Sequence, residues 1–335
     1  MGIRCVMRDG EIKHKKLGQG RITLGALIVL VLFMSLFRKS FATAQNMMTI
    51  LRQVSILGIT ACGLMLILLC GHVDLSIGAV ASFGDVLFAL LVSSDHANIH
   101  PILAILVVFS VCYLIGCLKA FLVIRCKTPL IIASLGISML INGINYLVTN
   151  AKIISNLNED IIFLGQGYIG FVPWTVVLFV IIIITTGLML KKTYFGRYIY
   201  AIGSNINAVR LAGVNVDRVQ TVVFGICTIL SGFGGIILCC RVKGGQAMAG
   251  DIYQTRALAA CAAGGISLSG GHGSVYNVIC GVLLIGVITN SLSILGMSTY
   301  WQEVIQGLVL IVSVIADNID RNMENPFSIL MGNRF

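Results

Sequence analysis

Apolar residues in this chain run in long blocks separated by short polar stretches. They do not alternate at a strand period, and few blocks keep a polar face at the helical period. All-round apolarity predicts helices surrounded by lipid or by other helices, and about 20 such residues span a bilayer. Ten blocks qualify, centred near residues 30, 62, 85, 112, 139, 181, 229, 262, 285 and 309. Several are short or run into a neighbour, so their ends are loosely defined. The expected fold is an all-α polytopic membrane protein of about ten transmembrane helices, and an even number returns both termini to one side.

Composition agrees. The chain is 57% hydrophobic and 11% charged, against about 25% charged in a soluble domain, and its mean hydropathy is +0.97. Only four prolines and as many as 37 glycines fit closely packed and broken helices in a bilayer. The net charge of +10 does not point to nucleic acid, because the bases sit between apolar blocks and not on one aromatic-rich face. The eleven cysteines fall largely inside the blocks, without zinc-site or CxxC spacing, and read as small packing residues. No metal and no cofactor is expected. Residues 1–21 carry six bases and no cleavage pattern, so they read as a cytoplasmic tail and not a removed signal peptide. Val6 breaks the myristoylation pattern.

Basic residues set the orientation. With the N-terminus inside, the inner segments hold sixteen Lys and Arg, including Lys119, Arg125, Lys127, Arg210 and Arg218, and the outer segments hold seven. The positive-inside rule then gives N-in and C-in. The expected organisation is a tail (1–21), a membrane domain (22–316) and a second cytoplasmic tail (317–335). Two connections are long: residues 150–171 outside, with an amphipathic piece, and residues 191–218 inside. In the inner one, Asn205 to Leu211 predicts a short helix with Asn205 as N-cap and Gly213 as terminator. Such an exposed helix is either filler or a docking knob.

Glycine interrupts two blocks, at GHVDLSIG (Gly71 to Gly78) and GGISLSGG (Gly264 to Gly271), which agree at four of eight positions without gaps. Paired Gly-rich interruptions in two halves mark the substrate region of many transporters, and broken backbone is tolerated only under protein or beside a water-filled cavity. Asp74 in the first break would cost about 2.5–3.5 kcal/mol at membrane depth, so it either lines a path or caps the broken helix. Asp85, eleven residues on, is expected on a similar face, as a polar contact or half of an ion pair. His72 and His272 lack the neighbours of a metal site and read as hydrogen-bonding groups. Ser76, Ser267, Ser269, Gly270 and Gly271 complete the breaks, while Asn142, Asn145 and Asn290 either meet hydroxyls or join helices.

The letters LSGG at Leu268 to Gly271 also occur in the signature of ABC ATPases. Here no Gly-Lys-Ser/Thr phosphate loop accompanies them, and they lie between apolar blocks. A nucleotide site is excluded.

Several runs do resemble one family. GHVDLSIGAV, GRYIYAIGSNINAVRLAGVNVDRV, GGISLSGGHGS and YWQEVIQGLVLIVSVIAD, with TPLIIASLGISMLINGI more loosely, are similar in order to segments of the permease subunits of monosaccharide ABC importers, the ribose, xylose, arabinose and galactose type. The resemblance covers about residues 20–320. It implies one half of a homodimeric or heterodimeric core in the bacterial cytoplasmic (inner) membrane, an extracytoplasmic solute-binding protein, and a separate cytoplasmic ATPase. It places coupling to that ATPase at Ala201 to Gly213, through Asn205, Ala208, Arg210 and Gly213. The chain departs from the family pattern at His72 (commonly Gly), at Asn142 (commonly Arg), and at Tyr253-Gln254-Thr255-Arg256-Ala257, where two carboxylates are missing. The rival readings are an ion-coupled secondary transporter using the same breaks and a membrane-embedded enzyme; the latter lacks a converging acid, base and metal set.

Overall fold

The computed structural model describes residues 12–157 and 159–324, with side chains from 20 to 157 and from 161 to 316. Residues 1–11 of the expected N-terminal tail, and the end of the C-terminal one from residue 325, lie outside the described residues.

The described chain is mostly helical, with little sheet. Eight helices are long and apolar enough to cross a membrane: α1 (Ile12–Phe37), α2 (Ala44–Leu69), α4 (Pro101–Ala120), α5 (Leu130–Thr149), α7 (Trp174–Lys192), α10 (Val216–Val242), α12 (Val275–Ile294) and α13 (Thr299–Glu324). Two shorter ones, α3 (Ile77–Val92) and α11 (Ile252–Ala263), hold the blocks expected near residues 85 and 262. At 1.5 Å per residue they span roughly 24 and 18 Å, short of a hydrocarbon core of about 30 Å. Each directly adjoins one Gly-rich break, which is why it is short.

Burial sorts the helices. In α2, α10 and α12, 83%, 72% and 67% of the most apolar window is buried, against 28% or less in α1, α4, α5, α7 and α13. The first three form the centre, with α3 packed between α10 and α5, and the others turn broad apolar faces outward. Close packing comes from small residues, as expected where lipid leaves no hydrophobic drive between helices. Gly84 meets Gly232 across α3 and α10, and Gly116 of α4 meets Gly225 of α10, so closely that a Cβ would collide with backbone.

The long outer connection folds into α6 (Glu159–Gln166) and a small hairpin, β1 (Tyr168–Ile169) with β2 (Val172–Pro173). Arg52 of α2 tethers the hairpin, donating to Gln166 O at 3.2 Å and lying 4.3 Å over the Tyr168 ring. The inner connection forms α8 (Tyr194–Ser204) and α9 (Ile206–Leu211). As the sequence predicts, Asn205 caps α9 by accepting from Ala208 N at 3.0 Å, and Gly213 beyond it has φ +81°.

One orientation marker needs correction. Lys119 is not a solvated loop cation. It sits fully buried in the last turn of α4, paired with Asp74 at 2.8 Å. Without it the inner bases still outnumber the outer ones about two to one.

Candidate functional site

The residues expected around the breaks and the solute path fall mainly into two groups. The first forms around the breaks. After α2 ends, Gly71 turns the chain with φ +81°, and Asp74 organises the start of α3. Its Oδ1 accepts from Ser76 N at 2.8 Å and from Ser76 Oγ at 2.7 Å, and its Oδ2 accepts from Lys119 Nζ at 2.8 Å. Both charged side chains are fully buried, so each neutralises a group that lipid or protein could not otherwise hold. His72 reaches across to α10, its Nε2 3.0 Å from Gln220 Nε2.

The second break, between α11 and α12, closes on itself and then on the first. Ser267 N donates to His272 O at 3.0 Å, Gly270 N donates to Ser267 O at 3.3 Å, and Gly271 N donates to Leu69 O at 2.9 Å. Gly270 and Gly271, at φ +93° and +74°, occupy backbone angles that side chains resist. Ser267 is buried and Ser269 exposed, with Ser269 O against Gly71. Pairing by sequence likeness thus becomes physical contact.

A second group gathers where α3, α5 and the 244–251 segment meet. Asp251 accepts from Ser82 Oγ at 3.1 Å and from Asn142 Nδ2 at 3.0 Å. Ser82 Oγ in turn accepts from Gly250 N at 2.9 Å. Asp85 accepts from Gln246 N at 2.7 Å, and Asn145 donates to Ala247 O at 3.1 Å. The side-chain oxygens of Asn142 and Asn145 are buried with no hydrogen-bond partner. Asp85 shares no hydrogen-bond partner with Asp74, although both carboxylates lie against α10, Asp74 near Cys227 and Asp85 near Cys239. It is a polar contact to backbone and not half of an ion pair. Asn290 belongs to neither group: it exchanges two hydrogen bonds with Asn46, at 2.8 and 3.1 Å, and joins α12 to α2.

The inner α8–α9 segment flanks the breaks. Arg210 is half exposed and lies 3.6 Å from the Asp217 carboxylate. It lines a cavity of about 590 Å³ together with His72, Gln220 and Lys127. Asn205, Ala208 and Gly213 are exposed around it. Among the described residues no cluster of three or more metal-ligating side chains occurs.

Lys119, Ser82, Asp251 and Gln220 were missed from sequence. Lys119 carried a signal, since five apolar residues separate it from Arg125 and a cation inside an apolar block needs a partner. Asp251 follows a Gly-rich stretch and reads as an ordinary loop acid.

A bundle of apolar helices with paired breaks and a buried ion pair is the framework of a membrane transport component. Comparison defines it further. The family model described as "Branched-chain amino acid transport system / permease component" matches residues 46–314, and the chain belongs to that family. The ribose import permease protein RbsC of Bacillus subtilis is 33% identical over 293 residues, 87% of this chain and 90% of the relative. RbsC of Haemophilus influenzae is 34% identical over 297 residues, 88% and 91% of the two chains. The L-arabinose transport system permease protein AraH of Escherichia coli is 33% identical over 296 residues, 88% and 89%. No solved structure matches the chain. The protein is a multi-pass permease component of the bacterial inner membrane and not an enzyme.

Proposed function

We propose that this chain forms the translocation path of an ATP-driven importer for a monosaccharide or similar small polyhydroxylated solute, working by alternating access. The observation that carries this reading is that relatives named for ribose and arabinose import align with nearly the whole chain. A separate cytoplasmic ABC ATPase, an extracytoplasmic solute-binding protein and a second permease subunit, identical or homologous, complete the machine. ATP is hydrolysed in the ATPase; no covalent chemistry occurs in this chain.

Ten crossings with both termini inside fit this role. What supports that count is how the connections group. Segments expected outside meet one another, through the bridges Ser93 to Leu157 and Ile154 to Gly245. The two breaks and α8, which belongs to the connection expected inside, also meet.

Asp85, Asn142 and Asn145, with Ser82 and Asp251, are assigned to the solute path, because hydroxyl groups need the donors and acceptors they supply. His72, Asp74, Ser76, Ser267, Ser269, Gly270 and Gly271 are assigned to holding the breaks, and Asn290 to joining helices. Asn205, Ala208, Arg210 and Gly213 are assigned to ATPase docking. The test is uptake of labelled ribose and arabinose into vesicles rebuilt with the cognate ATPase and binding protein. Uptake should require ATP and the binding protein. Uptake that ignores both and collapses with an ionophore makes the chain an ion-coupled transporter instead.

A further inference from the structure

Gly71, Gly203 and Gly270 come from three segments far apart in sequence, yet their backbones touch. A Cβ on Gly270 would lie 2.7 Å from Gly71 Cα and 3.0 Å from Gly203 Cα. A Cβ on Gly203 would run into Leu69 O and Gly271 N, the two atoms whose 2.9 Å hydrogen bond ties the second break to the end of α2, two residues before the first break. Gly203 thus lies over both that bond and the close approach of Gly270 to Gly71. One turn earlier, Tyr200 donates its hydroxyl to Gly273 O at 2.8 Å.

We infer that Gly203 is a positioning residue that locks both breaks and the last turn of α8 into one body, so that any displacement of the α8–α9 segment reaches α3 and α12 together. This rests on the importer reading for the source of the displacement, but the locking itself does not. Backbone-to-backbone contact leaves no side chain to swing aside, and packed junctions of this kind move as units instead of deforming gradually.

Gly203→Ala isolates the contact. Alanine is the better helix former by about 1 kcal/mol, so any loosening comes from the collision and not from a weakened α8. Hydrogen exchange on the full chain in lipid nanodiscs reads it without ATP, solute or partners. The variant should raise exchange by about tenfold in both 69–76 and 264–274 and leave 246–251 unchanged. A rise in one break alone, or in neither, overturns the inference. Tyr200→Phe serves if Gly203→Ala does not fold. It removes only a bond to the second break, so a rise shared by both breaks supports the lock, and a rise confined to 264–274 overturns it. Uptake by the wild type decides the importer reading separately. In the rebuilt system Gly203→Ala should retain ATPase binding while solute transported per ATP falls severalfold, and an unchanged ratio overturns the inference.

Discussion

The junction around the breaks and the cluster at Asp251 are both polar features in an apolar bundle, but they are built differently. The junction is closed by backbone: three glycines in contact, one hydrogen bond from the second break to the end of α2, and an ion pair with no exposed surface. The Asp251 cluster is closed by side chains, with Ser82 and Asn142 supplying donors that another ligand could replace, and with two asparagine oxygens unpaired. Rotamers exchange cheaply, whereas interlocked backbone does not. The comparison teaches that one region suits transmission of movement and the other exchange of hydrogen bonds with a solute.

The comparison breaks most sharply at Lys119. Lys119→Met leaves the Asp74 carboxylate buried without a counter-charge, a loss of about 3–5 kcal/mol. The expected result is a steep fall in folded protein by detergent size-exclusion. Adding Asp74→Leu should restore only part of it, because it removes the stranded charge but leaves Ser76 N and Oγ without their acceptor. Full recovery of the double variant would show that the cap at Ser76 contributes little.

Gly270→Val comes next. A β-branched residue resists φ +93°, and its Cβ would press on Gly71 Cα. Reduced expression with lost uptake is expected; normal values for both would show that the break tolerates side chains.

Smaller effects should come from the outer cluster. Asn142→Ala removes a donor to Asp251 without disturbing the junction, and should raise the solute concentration for half-maximal uptake by about tenfold while the Tm shifts little. The smallest structural effect is expected for Arg210→Glu, half exposed and weakly paired. It should lower solute-stimulated ATP hydrolysis and leave the fold intact. Wild-type stimulation in that variant would remove Arg210 from coupling.

What the sequence revealed follows from range. Asn205 and Gly213 were legible because caps and terminators depend on neighbours within a turn. The helices near 85 and 262 were located by hydropathy, although the short lengths of α3 and α11 were not. The breaks were legible as glycine interruptions, but their mutual contact joins residues about 200 positions apart, Gly71 with Gly270, and no local pattern encodes that. Lys119 was misread because counting charges between blocks treats every base as solvated. Asp251 was missed because its partners, Ser82 and Asn142, lie on two other helices.

The most direct measurement takes labelled ribose uptake and ATP hydrolysis together in rebuilt vesicles, for wild type, Asn142→Ala and Gly203→Ala. The account predicts that Asn142→Ala shifts the ribose dependence and keeps the uptake-to-ATP ratio. Gly203→Ala should lower that ratio and keep the ribose dependence. The same defect in both variants would contradict the division between a solute-facing cluster and a transmitting junction.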